Sequence, residues 1–175
     1  PLYRHLRDTY ADDHLRVWRV SHFGGHVFAP TLMEMPTGHY WAYIGEEQAA
    51  QIIERRGDVA NLRGHYRGWA GLTAGFAQAA ERELWQREGW AWFDFRKEGE
   101  VLDQELDVEK PTWAEVWITH NTPDGKAGAD TVRVEVAQWI ETFGTTGHVE
   151  THPYAQYAMT AQHSEVAVYA AATAV

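Results

Sequence analysis

The sequence predicts a mixed α/β (α+β) fold, in which helices flank one sheet and a second, β-rich part follows. Apolar residues recur at helical spacing in the first half of the chain, whereas apolar and polar residues alternate after Trp90. The apolar fraction of 45%, with nine Trp, eight Tyr and six Phe, is sufficient for a sizeable core in 175 residues.

Charge and composition exclude several classes of partner and site. A net charge of -10 and the lack of a basic cluster argue against nucleic acid and anionic membranes as partners. No apolar run reaches the roughly 18 to 20 residues of a membrane-spanning helix, so we expect a soluble, cytoplasmic protein. Because the chain contains no cysteine, disulfides, thiol catalysis and thiolate ligands are excluded within these residues.

Periodicity and turn signals predict the elements of the first part. Thr37 and Gly38 separate two β-prone runs, which predicts a hairpin. Two acidic residues in the first turn and Gly57 at the end mark the clearest helix. The predicted elements are helix 1–11, strand 14–22, strands 31–36 and 39–44, helix 45–58, a glycine-rich connector over 61–75 and helix 76–89.

From Trp90 onward the pattern predicts a β-rich C-terminal extension. The predicted elements are strands 90–106, 112–120 and 131–143, with loops over 121–130 and 144–153. The alanine-rich tail, 164–175, suits a strand, a short helix or a docked arm. The predicted domains are therefore 1–89 and 90–175.

The stretch VSHFGGHVFAPTL, residues 20–32, is the strongest candidate for a binding site. His22 and His26 stand four residues apart, and on a straight strand they would lie roughly 13 Å from each other, too far to share a metal ion. Gly24 and Gly25 permit positive φ, so the segment is expected to fold back and bring the imidazoles together. The alternative is a glycine turn with two solvated histidines.

Residues 17–44, VWRVSHFGGHVFAPTLMEMPTGHYWAYI, resemble the sucrase/ferredoxin-like family, and YRGWAGL and the β-rich end are similar to it as well. The resemblance implies a thioredoxin-like sheet with flanking helices, here lacking its first strand. It also implies a 2Fe-2S cluster bound by His22, His26 and two cysteines that would precede Pro1. The chain departs from the family pattern at those cysteines, so either an N-terminal segment that carries them is missing or this member has lost the cluster. Pro30 lies in a segment that resembles the cis-proline segment of thioredoxin folds, beside the redox site.

Other polar residues are weaker candidates for a site. His148 and His152, with Glu150 between them, suit a surface zinc site or a mobile polar loop, and the loop is favoured. His65 and Arg67 suit a binding site for an anion or a partner. The alternative is an exposed connector without a binding role.

Signatures of common catalytic classes are missing from the sequence. Glu34, Asp94 and Glu115 alternate with apolar residues and are predicted on solvent faces, so no carboxylate pair suggests glycoside hydrolysis. Sucrase activity is therefore not supported. The sequence also contains no G-x-S-x-G, Walker A or G-x-G-x-x-G motif.

Three functions remain open from the sequence. The first is a one-electron carrier with a 2Fe-2S cluster, which would exchange electrons with an unknown redox protein. The second is a cluster-free, thioredoxin-like binding or scaffold module. The third is a mononuclear metal enzyme that uses both histidine pairs.

Overall fold

Two antiparallel sheets and three α-helices form the described part of the chain. The computed structural model describes residues 2–21, 23, 26–106, 108–143 and 151–165. The helices are α1 (Leu2–Tyr10), α2 (Glu46–Glu54) and α3 (Gly75–Glu88), with short 3-10 helices at His26–Phe28, Val59–Leu62 and Gly89–Asp94. The strands are β1 (Leu32–Met33), β2 (His39–Trp41), β3 (Tyr66–Trp69), β4 (Arg96–Gln104), β5 (Trp113–Asn121), β6 (Ala127–Phe143) and β7 (Thr151–Glu165). The predicted mixed α/β class is confirmed.

The first sheet contains the predicted hairpin. β1 and β2 pair antiparallel, with Leu32 opposite Trp41, and Thr37 and Gly38 lie in the turn between them. The Trp41 indole N–H donates to the Glu34 carboxylate at 2.7 Å. Because this bond joins β2 to the residue after β1, it supports the short pairing on one side of the turn.

Helices α1, α2 and α3 confirm the three helices predicted from periodicity. The Gly45 N–H before α2 donates to the Gln48 side chain at 3.1 Å, and two glutamates occupy the first turn, where the helix dipole favours negative charge. The helix ends at Arg55, which has a positive φ of 49°. No helix in the described ranges is long and apolar enough to cross a membrane.

The glycine-rich connector contains a strand that the sequence did not predict. β3 pairs antiparallel with β2 and completes the three-stranded order β1-β2-β3. Gly68 has a φ of 108°, and a Cβ added there would lie 2.6 Å from the Cβ of Gln78 in α3. The glycines that indicated a connector are therefore what allows β3 to lie directly against α3.

The strand predicted over 14–22 is not present in its described residues. Residues 15–20 form no strand pairing with any described residue. Val17 packs partly against the core, whereas Trp18 is 78% exposed and Val20 is 58% exposed. Alternation indicates which side chains face inward, but a strand also requires a neighbouring backbone, and the described residues provide none here.

The second sheet is a four-stranded antiparallel meander in the order β4-β5-β6-β7. The alternating runs predicted as strands form β5 and most of β6, and their inner face carries Val116, Ile118 and Val132, which are fully buried. The predicted start of β4 is wrong, since Gly89–Asp94 form a 3-10 helix. β7 was not predicted, and a register shift at Thr160 in its pairing with β6 interrupts the alternation along this strand.

Helix α3 lies between the two sheets and joins them into one core. Trp85 contacts Tyr66 of β3 with ring centroids 4.6 Å apart. The same cluster of buried residues includes Val116 and Val132 from the second sheet. The predicted domain boundary between residues 89 and 90 falls within the 3-10 helix Gly89–Asp94, and the division into two domains stays a prediction.

Asp130 attaches α3 to the second sheet through a buried carboxylate that is 1% exposed. Arg87 of α3 donates to its two oxygens at 2.7 and 3.0 Å, and Gln162 donates at 2.9 Å. Burial alone would raise the pKa of Asp130, but hydrogen bonds from His120, Arg87, Ser164 and Gln162 outweigh it and hold the pKa well below its usual range. Asp130 is therefore ionised in the folded protein and fully hydrogen-bonded.

Replacing this carboxylate tests its contribution to stability. Asp130→Asn keeps the size of the side chain but removes its charge, so the free energy of unfolding at pH 7 should fall by about 2 kcal/mol in urea titrations. The folded pKa lies below that of the unfolded chain, so this difference should be complete above pH ~4 and decline as the pH falls further. Glu88→Gln is the control because Glu88 binds the same Arg87 from a more exposed position, and its effect should stay below about 0.5 kcal/mol. Equal losses in the two variants would contradict this role.

Candidate functional site

The predicted histidine loop reaches the described fold at His26. This residue begins the 3-10 helix His26–Phe28, and the Ala29–Pro30 bond that follows is cis, as the resemblance to a cis-proline segment implies. His22, Gly24 and Gly25 lie outside the described residues, so the expected convergence of the two imidazoles remains a prediction.

Backbone hydrogen bonds fix the C-terminal side of this loop to the first sheet. The Tyr43 N–H donates to the Phe28 carbonyl at 2.9 Å, and the Ile44 N–H donates to the Pro30 carbonyl at 3.0 Å. Phe28 is also 7% exposed, although it belongs to a loop. The loop is therefore held by the segment between β2 and α2. This anchoring also determines where the backbone of His26 lies.

Arg67 of β3 lies over the ring of Phe28, with the guanidinium carbon 4.5 Å from the ring centroid. Burial, followed by the charge of Arg82, lowers the pKa of Arg67 from its ordinary value. The neighbouring His65 places its Nδ1 3.0 Å from the Ala42 carbonyl. Both residues of the predicted exposed connector thus pack against the hairpin and the site loop.

The ligand set in this chain does not complete a 2Fe-2S cluster. Such a cluster takes four protein ligands, with histidine replacing cysteine at one iron in some centres. The 175 residues contain no cysteine, and no three His, Cys, Asp or Glu side chains within the described ranges are grouped so that they could hold a metal ion. If the two loop histidines supplied two of the ligands, the other two would have to come from residues outside this sequence.

Glu34 lies in a hydrogen-bonded ion pair and not on the predicted solvent face. Arg55 donates to its carboxylate through both terminal nitrogens, and Trp41 donates through its indole N–H. The arginine also lies 4.9 Å from the centroid of Phe93. The ion pair joins the end of α2 to the hairpin, which gives Glu34 a structural role.

His39 is buried next to this ion pair and is uncharged. Its ring stacks on Phe93 at 3.9 Å, and its Nδ1 lies 3.1 Å from the Thr37 hydroxyl. Burial, followed by the charges of Lys97 and Arg55, lowers the pKa of His39 to about 3. Although its Nδ1 is 3.9 Å from Glu34, the two therefore do not form a salt bridge at neutral pH.

A second buried carboxylate, Glu81, lies on the inner side of α3 and is 0% exposed. Its Oε1 accepts hydrogen bonds from the Tyr66 hydroxyl at 3.1 Å and the Trp92 indole at 2.8 Å, and Lys97 Nζ lies 3.9 Å away. Its Oε2 has no hydrogen-bond partner among the described residues. Burial raises the pKa of Glu81 to about 7, against the opposing effect of Lys97 and the two hydrogen bonds.

Glu81 was not predicted as a site residue, although the sequence contains a signal for it. Glu81 falls on the same stripe of α3 as Ala77, Leu84 and Trp85, all of which are buried. A carboxylate within an apolar helical stripe indicates a buried charge with a partner. The partners, Lys97 and Tyr66, come from two different sheets and cannot be assigned from periodicity.

Comparison with known proteins assigns a family to the segment that carries the loop. Residues 1–68 match the family model described as Sucrase/ferredoxin-like. The match confirms the family that the resemblance indicated, and it covers α1, the site loop, the hairpin and α2, ending within β3. No curated protein and no solved structure matches the chain.

Titration of Glu81 gives a pH dependence that can be measured. A carboxyl whose pKa is raised on folding binds its proton more tightly in the folded state, so stability should fall as the pH rises from about 4.5 to about 7. Glu81→Gln cannot ionise, and the free energy of unfolding of this variant should be flatter across the same range. Urea titrations of both proteins at several pH values give the two curves. Glu83→Gln, also on α3, is the control and should keep the wild-type pH profile. If the Glu81→Gln and wild-type curves ran parallel, the buried titration would be excluded.

Proposed function

We propose that this protein is a one-electron carrier whose first part is a thioredoxin-like ferredoxin domain. His22 and His26 would hold one iron of a 2Fe-2S cluster, and two cysteines outside the 175 residues would hold the other. When bound, a cluster with imidazole ligands supplies reversible one-electron chemistry at a higher potential than an all-thiolate cluster. The redox protein with which it exchanges electrons is not identified by the residues present.

One observation carries this proposal. The H-x-G-G-H loop lies in the segment that matches the Sucrase/ferredoxin-like family, and its C-terminal side is hydrogen-bonded to the hairpin. A histidine held by a fixed backbone loses little conformational freedom when it binds a metal, which favours a ligand role over that of a freely solvated side chain.

The chain's own residues would contribute position and shielding. Phe28, buried at 7% exposure, follows His26 within one 3-10 turn. A neutral imidazole is required for ligation, and the free ring nitrogen of a ligating histidine can hold a proton. The net charge of -10 is compatible with a basic surface on the redox partner, and we propose the cytoplasm as the compartment.

Expression of the full-length protein, including any residues before Pro1, tests the proposal. Protein produced anaerobically with iron should be coloured, should contain two irons per chain, and should give an EPR signal after reduction. His22→Ala and His26→Ala should each reduce the iron content and alter the visible spectrum. His163→Ala is the matched control, because this side chain is 75% exposed and lies on β7, and it should leave iron content and colour unchanged.

Two results would contradict the electron-carrier proposal. The first is an intact protein sequence without the two additional cysteines. The second is full-length protein that stays colourless and iron-free under these conditions. Either result would favour the cluster-free binding or scaffold module instead. One equivalent of zinc that is lost in His22→Ala would point to the mononuclear metal site.

A further inference from the structure

We infer that the C-terminal extension positions the histidine loop, and that Tyr154 is the positioning residue, acting through Phe28. The significance of this contact for a cluster rests on the proposed function, whereas the contact itself does not. The inference assigns a role to the hairpin of β6 and β7, which lies outside the segment that matches the family.

Phe28 is the point at which the loop meets the rest of the molecule. The ring of Tyr154 meets it edge-on, with ring centroids 5.4 Å apart and planes at 80°. Tyr43 meets it in the same way at 5.8 Å and 88°, and the Arg67 guanidinium lies 4.5 Å from its centroid. Three residues from different parts of the chain thus pack on one aromatic side chain. Of these three, only Tyr154 comes from the C-terminal extension.

The hairpin extends beyond the sheet to reach the loop. β5 pairs with β6 only as far as Trp113 and Glu135, but β6 and β7 remain paired to the end of β6 at Phe143. We call the part beyond this point, residues 136–143 and 151–157, the β6–β7 arm. An isolated two-stranded hairpin of this kind is only marginally stable in water, so its position depends on what it packs against.

Within the described residues, two tyrosines of β7 connect the arm to the first half of the chain. Tyr157 packs on Phe76 of α3 at 4.8 Å, and its carbonyl accepts a hydrogen bond from Arg82 at 2.9 Å. Tyr154, three residues nearer the tip, contacts Phe28. The first contact fixes the base of the arm to α3, and the second connects the arm to the site loop.

A contact on Phe28 constrains His26 directly. The two residues occupy the same 3-10 helix, His26–Phe28, in which each residue advances about 2 Å. Movement of the Phe28 ring out of its site would therefore displace the backbone that carries the histidine. Tyr154 limits that movement of the Phe28 ring, so we expect it to order the loop.

Hydrogen exchange of the loop amides tests this role without a bound cluster. Tyr154→Ala should accelerate exchange at residues 26–29 by about three- to tenfold, the range expected for loss of one edge-to-face aromatic pair. Tyr154→Phe retains the ring and should restore the slow exchange. Trp139→Ala is the matched control, because Trp139 lies in the same arm, opposite Ala155, and is 45% exposed. It should leave the loop amides unchanged.

The outcomes separate positioning from general stability. If Tyr154→Ala leaves exchange at 26–29 unchanged, or if Trp139→Ala accelerates it equally, the inference is overturned. If Tyr154→Ala releases the whole arm, a double-mutant cycle of Phe28→Leu and Tyr154→Leu tests the direct contact. Non-additive effects on loop exchange would support the contact. Additive effects would overturn the inference. A colourless full-length protein would contradict the cluster but would leave these exchange results, and the inference, intact.

Discussion

The burial of α3 on both sides is the constraint on which the rest of the structure depends. One side contacts β3 and the aromatic rings around Tyr66, and the other packs under the four-stranded meander. A single helix thus supplies the interior surface for two sheets, neither of which could bury its apolar face alone. The site loop, the hairpin and the C-terminal arm all take their positions from this packing.

Polar interactions specify the orientation of that helix. Glu81 of α3 faces Lys97 of β4, and Arg87 of α3 pairs with Asp130 of β6. Helix α3 therefore carries the acidic partner of one pair and the basic partner of the other. An apolar helix between two apolar surfaces could rotate or slide at modest cost. Both carboxyl groups are buried, and after such a shift each would lose the partner that faces it. We regard the pairs as determinants of register more than as sources of net stability.

The sequence was sufficient to predict the helices, the hairpin and the strongly alternating strands, because their patterns depend only on neighbours along the chain. It was insufficient for β3, for the missing strand at 15–20 and for β7, since each depends on which backbone lies alongside. The same division holds for the site. The motif around His26 was visible as spacing and glycine content, whereas Tyr154 lies more than 120 residues away and meets Phe28 only through the tertiary fold. The spacing of residues that are close in sequence cannot reveal such contacts.

Gly68 has a consequence for how this fold can vary among relatives. The closest approach of β3 and α3 occurs where the strand has no side chain, and even a methyl group would collide with Gln78. A relative with a larger residue at position 68 must therefore hold α3 farther from the sheet or reshape the chain at position 78. Because α3 also supports the meander, the change would propagate to the second sheet. Positions 68 and 78 should accordingly co-vary in an alignment, although one lies inside the segment shared with the family and the other outside it.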